Sequence, residues 1–244
     1  LRKEILHHIV EEHGPASRQA ASYRLLIGRL YSIMGNMTQA ESELLSALRV
    51  FENEGRKVPE LRITLKQLSD LYRSWGDYEN REHVLKRLLI LESETFGAYS
   101  LQTAHILDLL ASNFSSNDNI PDSAVYQHRL ALKIYRHHYG DDSVITKRTK
   151  RSLIFNYLNT HEYDKATEFA QETIEQQQSK GGTDLEALHD LATINEHSDN
   201  RDEAMKRYMQ IIVQKKKILK GKYKILDILP ELSSLVENCR KMND

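Results

Sequence analysis

The chain has 244 residues and nearly balanced charge, with 34 Lys and Arg against 35 Asp and Glu, so it lacks the positive excess typical of nucleic-acid-binding proteins. Ten Gly and four Pro leave little room for turn-rich β structure or linkers, which predicts an all-α protein. The single cysteine, Cys239, excludes an internal disulfide framework. It is typical of a reducing compartment, so we expect a cytoplasmic location without a membrane span.

The chain begins with a segment that predicts one helix. Leu1, Ile5, Ile9 and Val10 share a face over residues 1–12, and Gly14-Pro15 then ends the helix. We expect residues 1–20 to form either an N-terminal cap or the second helix of an upstream repeat. The missing initiating Met favours a piece of a longer protein.

From residue 21 onward one order of residues recurs five times. An apolar-small pair is followed by an aromatic, a turn, and a marker position that opens a second apolar stripe; the first copy reads Ile27-Gly28, Tyr31, Gly35-Asn36 and Ala40. The markers are residues 40, 81, 124, 166 and 204, separated by 41, 43, 42 and 38 residues. A helical hairpin cannot bury its apolar stripe alone, so such units stack.

This pattern predicts an α-solenoid of stacked antiparallel helical hairpins. The five predicted repeats cover residues 21–220, at about 21–58, 61–97, 101–139, 144–180 and 184–220. The small residues let paired helices approach closely, and the aromatics fill the space between hairpins. Residues 225–244 predict the first helix of an incomplete sixth repeat or a C-terminal cap, with Leu232, Leu235, Val236 and Cys239 on one face. We expect Cys239 to be a buried structural thiol.

Two stretches carry a resemblance to a known family. Residues 64–79 (TLKQLSDLYRSWGDYE) and 131–143 (ALKIYRHHYGDDS) resemble tetratricopeptide (TPR) repeats of the long, kinesin-light-chain-like subtype. The chain departs from that pattern at Arg81, where the family usually has Ala, and at His161, where it usually has a turn Gly. It also lacks the paired Asn residues that hold the backbone of a bound peptide in kinesin light chains.

The resemblance implies that the α-solenoid is a right-handed superhelix of antiparallel helical hairpins. It also implies a binding surface, because the first helices of TPR hairpins line the concave face. Residues one, four and eight positions from a common start share an exposed stripe on each first helix. The candidate partner-binding residues are Arg29, Lys66, Asp70, Arg73, His105, Asp108, Arg148, Arg151, Phe155 and His189. The stripe is basic towards its middle, which favours an extended acidic partner. The alternative is that these are ordinary solvated charges.

Other possible chemistry finds little support in the sequence. The adjacent pairs His7-His8 and His137-His138 point to different sides of a helix, so no metal site is expected. The segment Lys180-Gly181-Gly182-Thr183 lacks the strand and the second half of a phosphate loop. Six Lys between positions 215 and 224 are typical of a solvated helix end, although they would also suit an anionic membrane or nucleic acid. We expect no enzymatic activity and no cofactor.

These observations predict a protein–protein interaction scaffold or adaptor that binds a peptide or a partner domain on its concave face. The alternative is a structural or autoregulatory TPR segment of a larger protein, such as a motor subunit or a signalling ATPase. The identity of the partner and the oligomeric state stay open, because one fold serves many functions.

Overall fold

Helices account for nearly all of the chain that the computed structural model describes, namely residues 2–56, 58–116, 121–218 and 227–243, and no strand occurs there. The helices in chain order are α1 (Arg2–His13), α2 (Arg18–Ile33), α3 (Met37–Glu54), α4 (Pro59–Trp75), α5 (Tyr78–Phe96), α6 (Leu101–Ser116), α7 (Pro121–Tyr139), α8 (Val144–Asn159), α9 (Tyr163–Ser179), α10 (Leu185–His197), α11 (Arg201–Ile218) and α12 (Leu229–Asn243). The predicted all-α class is confirmed.

The turns between paired helices repeat one hydrogen-bond pattern. A left-handed residue ends the first helix, and the residue after it donates its N–H to the carbonyl five residues back. These bonds run from Asn36 to Tyr31 (2.9 Å), Asp77 to Tyr72 (2.9 Å), Glu162 to Tyr157 (2.8 Å) and Asn200 to Asn195 (2.8 Å). Gly35 and Gly76 take the left-handed conformation in the first two turns, with φ of 75° and 77°. His161 and Asp199 take it in the others, at 59° and 61°, so the turn survives without glycine.

Residues 1–141 form one compact unit, which contains α1 to α7. In it α2 pairs with α3, α4 with α5 and α6 with α7, while α3 also contacts α4 and α5 also contacts α6. Leu44, Phe51, Leu65 and Leu85 are fully buried in the shared core. A Cβ on Gly28 of α2 would lie 2.7 Å from Leu44 Cγ of α3, so this close approach requires glycine, as the sequence predicted.

Residues 142–244 form the second unit, with α8 to α12. Here α8 packs against α9, α9 against α10, α10 against α11, and α11 against α12. Tyr157 and Tyr208 are the largest buried side chains of its core, and Tyr157 stacks on Phe169 at 5.9 Å between ring centroids.

Arg81 of the first unit shows how a departure from the repeat pattern is accommodated: it is buried, and it donates to Asn113 Oδ1 of α6 at 3.3 Å.

Two expectations from the sequence were wrong. Cys239 is exposed rather than buried, because α11 covers it only in part, with Met205 Sδ lying 3.5 Å from the Cys239 Sγ. Asp108 is only 8% exposed and therefore does not belong to an exposed stripe. Three other predicted features, the N-terminal helix, the lysine cluster and the C-terminal helix, lie partly outside the described residues. The residues concerned are Leu1, Lys220, Lys222, Lys224 and Asp244.

Candidate partner-binding surfaces

One face of α4 presents side chains to solvent along its whole length. We call Ile63, Lys66, Asp70 and Arg73 the α4 surface; they are three, four and three residues apart, which keeps them in one row of a helix. The opposite side of α4 is buried through Leu61, Leu65 and Leu68. The row is thus set by the amphipathic pattern of the helix.

The charged side chains of the α4 surface form ion pairs within the protein. Lys66 Nζ lies 2.8 Å from Oε1 of the buried Glu92 on α5, and Arg62 approaches the same carboxylate at 3.7 Å. Asp70 and Arg73 form an exposed pair at 3.7 Å. Because a buried carboxylate needs compensating charge, Lys66 serves the packing of α4 on α5 as well as the surface.

The remaining candidates of the first unit divide into exposed and buried side chains. Arg29 of α2 and His105 of α6 are exposed, and Arg29 makes no hydrogen bond or ion pair within the described part of the chain. Asp108 instead turns inward, where its Oδ1 lies 3.6 Å from His128 Nε2 of α7. Burial lowers the pKa of His128 to about 4, and the nearby Asp108 carboxylate opposes that shift only in part.

The second unit has its own exposed row on α8. Val144, Arg148, Arg151 and Phe155, here called the α8 surface, are four, three and four residues apart. Val144 is 86% exposed and Phe155 is 55% exposed, so two large apolar side chains flank two arginines. The row starts at the first turn of α8, where Ser143 Oγ accepts a hydrogen bond from the Thr146 N–H and caps the helix.

Arg151 connects the α8 surface to α10. Its guanidinium lies 3.1 Å from Asp190 and 3.2 Å from Glu186. Burial raises the pKa of Asp190, and the Arg151 charge works in the opposite direction. His189 faces elsewhere, since its ring meets Tyr208 of α11 edge-on at 5.8 Å between centroids.

The structure therefore brings Arg148, Arg151 and Phe155 together on one surface, and it places Lys66, Asp70 and Arg73 together on another. Val144 was missed by the sequence analysis, although its spacing of four and seven residues from Arg148 and Arg151 was a usable signal. Among the described residues, no three His, Cys, Asp or Glu side chains are grouped so that they could hold a metal ion. No described helix has the length and apolar character needed to cross a membrane.

Comparisons with known proteins identify the fold. Residues 21–54, which contain α3 and most of α2, match the tetratricopeptide repeat family model. No curated protein sequence is significantly similar to the chain.

Three solved structures have the same fold at low sequence identity. A Podosopora anserina protein described as a kinesin light chain candidate with nearly identical TPR-like repeats is 16% identical, covers 83% of this chain and 98% of its own, and has a TM-score of 0.69. BtubC (BKLC) from P. vanneervenii is 17% identical over 91% of this chain and 89% of its own, with a TM-score of 0.63. YrrB, a TPR protein with an unusual peptide-binding site, is 13% identical over 96% and 97% of the two chains, with a TM-score of 0.60. The chain therefore has a tetratricopeptide-repeat fold, and the solved structures that share it include kinesin-light-chain-like repeats.

Proposed function

We propose that this chain is a protein–protein interaction scaffold that binds a peptide or a partner domain on the exposed first-helix surfaces of its repeats, without catalysing a reaction. In this proposal the five hairpins α2–α3, α4–α5, α6–α7, α8–α9 and α10–α11 are the five repeats. The observation that carries it is the α8 surface. Exposed Phe155 lies on the same helix face as Arg148, and aromatic and arginine side chains contribute much of the binding energy at protein interfaces. Val144, which is 86% exposed, adds apolar area to the same surface. The peptide-binding site of YrrB, which has the same fold, supports the proposal.

An acidic partner is the finer part of the proposal. The α8 surface presents two exposed arginines: Arg151, which pairs with Glu186 and Asp190 of α10, and Arg148, one helical turn away, and both would attract a carboxylate. The α4 surface carries little net charge, because Lys66 is paired with Glu92 and Arg73 with Asp70. We therefore propose a partner segment with one or two acidic residues next to an apolar side chain that packs on Phe155.

A displayed library of random peptides tests the proposal. The chain is expected to enrich peptides with an acidic residue close to an apolar one. Arg148→Glu should remove the acidic preference, and Phe155→Ala should weaken binding roughly tenfold or more, as expected for an interface aromatic. Matched controls are Lys206→Glu and Met209→Ala on α11, which alter an equally exposed charge and apolar side chain elsewhere in the second unit.

The controls should leave binding unchanged. Enriched peptides that bind all four variants as tightly as the parent chain would contradict the use of the α8 surface. If no peptide is enriched at all, the alternative function as a structural or autoregulatory segment of a larger protein is favoured.

A further inference from the structure

Arg81, in the first turn of α5, is a buried cation at a position where the other marker positions hold alanine. Ala40, Ala124, Ala166 and Ala204 are all 0% exposed, and Arg81 is 3% exposed. Alanine has no polar side-chain atom to satisfy. A buried guanidinium needs both hydrogen-bond acceptors and a compensating negative charge. Arg81 therefore brings a requirement that the protein does not have at the other four marker positions.

The described part of the chain meets this requirement only in part. Arg81 Nη1 donates to Asn113 Oδ1 on α6 at 3.3 Å, whereas Arg81 Nε is buried without an acceptor. Asn113 is a neutral amide, and its own Nδ2 donates to the Tyr78 carbonyl at 2.9 Å. The nearby Asp77 carboxylate caps α5, where it accepts hydrogen bonds from the N–H and Nδ2 of Asn80 at 3.1 and 2.8 Å. No carboxylate among the described residues forms an ion pair with Arg81.

Two exposed side chains of α4 act on Arg81 from a greater distance. Asp70 and Arg73 form a pair at 3.7 Å, and their side chains are 61% and 59% exposed. Burial lowers the pKa of Arg81, the Arg73 charge lowers it further, and the Asp70 carboxylate opposes both. The three groups carry two positive charges and one negative charge. One positive charge is therefore left uncompensated at this place.

We propose that Arg81 and Arg73 together bind the carboxylate of an Asp or Glu side chain of a partner protein, between α4 and α6. Arg81 contacts α6 through Asn113 and lies within the field of the α4 charges, so its guanidinium is placed between these two first helices. Its Nη2 makes no hydrogen bond and is not among the fully buried nitrogens, so this nitrogen reaches the surface. The exposed Arg73 supplies the second charged donor.

A carboxylate fits the charge of this site better than a phosphate does. It carries one negative charge, which balances the one uncompensated positive charge. A phosphorylated side chain carries about −1.5 to −2 at pH 7 and would leave an excess of negative charge beside Asp70. The inference rests on the proposed function, because it assigns an acidic side chain of the partner to the first unit. Arg81 adds the positive charge that the α4 surface lacks.

Three short peptides test the proposal by NMR spectroscopy of the whole isotope-labelled chain. Each has the sequence Ala-Ala-X-Ala-Ala with acetyl and amide ends, and X is Glu, Gln or phosphoserine. Two signals are followed during each titration, the Arg81 Nε–H and the Asn113 side-chain amide. The buried Nε–H is shielded from exchange with water, and Arg81→Lys assigns its signal by removing it.

The Glu peptide should shift both signals in a saturable manner, and the Gln peptide should leave both in place. Arg81→Met keeps an unbranched side chain but removes the charge and the donors, so the Asn113 amide should no longer respond to the Glu peptide. Arg73→Ala should raise the Kd of the Glu peptide roughly threefold or more, because one of the two cations is lost.

Arg49→Ala is the matched control, since it removes an exposed arginine of α3 in the same unit, and it should leave the titration unchanged. Circular dichroism checks the fold of every variant. The uncharged residues at the other four marker positions favour intact folding of Arg81→Met.

Four results would overturn the proposal. They are equal shifts with the Glu and Gln peptides, no shift with the Glu peptide, an Asn113 response that persists in Arg81→Met, and tighter binding of the phosphoserine peptide than of the Glu peptide. The last would assign the site to a phosphate.

Failure of this inference is distinguishable from failure of the proposed function. If library peptides bind through Arg148 and Phe155 while the Arg81 signal stays in place, only the Arg81 site is rejected. If no library peptide is enriched, the proposed function is rejected, whatever the Arg81 signal does.

Discussion

The Arg151 guanidinium on α8 lies 3.1 Å from the Asp190 carboxylate on α10, and this pair joins two first helices of the second unit. The Asp190 side chain is 12% exposed and that of Arg151 is 47% exposed, so the arginine both compensates a partly buried acid and faces solvent. A change at Arg151 therefore affects folding as well as any partner. Arg148, one helical turn away on the same surface, is the better residue for testing binding.

Replacing Arg151 with Ala should lower the free energy of unfolding by about 1–3 kcal/mol, because Asp190 is left without its cation. Urea denaturation followed by circular dichroism measures this change. Lys206→Ala removes an exposed charge with only a local pair to Glu203, so it should change stability by less than about 0.5 kcal/mol. Equal stability of the Arg151→Ala variant and the parent chain would show that Asp190 does not depend on this pair.

The first unit should lose stability as the pH falls from about 6.5 to about 4. The pKa of His128 is about 4 in the folded protein and about 6.5 in the unfolded chain, so between these values the unfolded chain binds the extra proton. The free energy of unfolding is therefore highest above pH 6.5 and should fall by on the order of 2–3 kcal/mol as the pH drops to 4. Fluorescence of Trp75, the only tryptophan of the chain, reports unfolding of this unit.

His128→Gln removes the titrating group while keeping a polar side chain beside Asp108. Its stability should change less between pH 7 and pH 4.5 than that of the parent chain, after comparison at equal ionic strength. An identical pH dependence in both proteins would assign the acid sensitivity to other groups.

Gly28→Ala should destabilise the first unit by about 1–3 kcal/mol, because the new methyl group would press against the Leu44 side chain. The contact predicts non-additivity. Leu44→Ala opens space at that point, so the double variant should be more stable than the sum of the two single changes implies. Thermal unfolding of the parent chain, the two single variants and the double variant measures the coupling between the two changes. Strictly additive losses of stability would argue against the contact with Leu44 as the cause.

His161→Gly and Asp199→Gly should each stabilise the second unit by about 0.5–1 kcal/mol. Both residues hold left-handed φ values that a side chain disfavours, and this gain exceeds the entropic cost of glycine. Each substitution also removes one side-chain contact: the His161 Nδ1 contact with the Tyr163 hydroxyl at 2.8 Å, and the Asp199 ion pair with Arg201 at 2.7 Å.

Ser198→Gly is the matched control for Asp199, since Ser198 has an ordinary φ of −87° and should only lose stability on substitution. Melting temperatures from circular dichroism give the ranking. Destabilisation by Asp199→Gly would mean that the aspartate side chain stabilises the turn more than its backbone conformation costs.

Much of the helical architecture was predictable because it depends on short-range order. The apolar-small pair, the aromatic and the turn residues predicted where helices meet, and the close approach at Gly28 followed from the absence of a side chain. The turns at His161 and Asp199 fell where the spacing placed them, even without glycine. Helical spacing likewise predicted that Arg148, Arg151 and Phe155 share a face.

Contacts between distant segments were decided only by the tertiary structure. Asp108 has the spacing of an exposed stripe, but α7 packs beside it and brings His128 within 3.6 Å, so it turns inward. The partners of Arg151 lie 35 and 39 residues away on α10, and no local pattern identifies them. Cys239 has the apolar neighbours of a buried thiol, yet it is exposed, because burial depends on which helix packs against that side of α12. The periodicity of a helix defines its faces, whereas the packing of neighbouring helices decides which of those faces meets solvent.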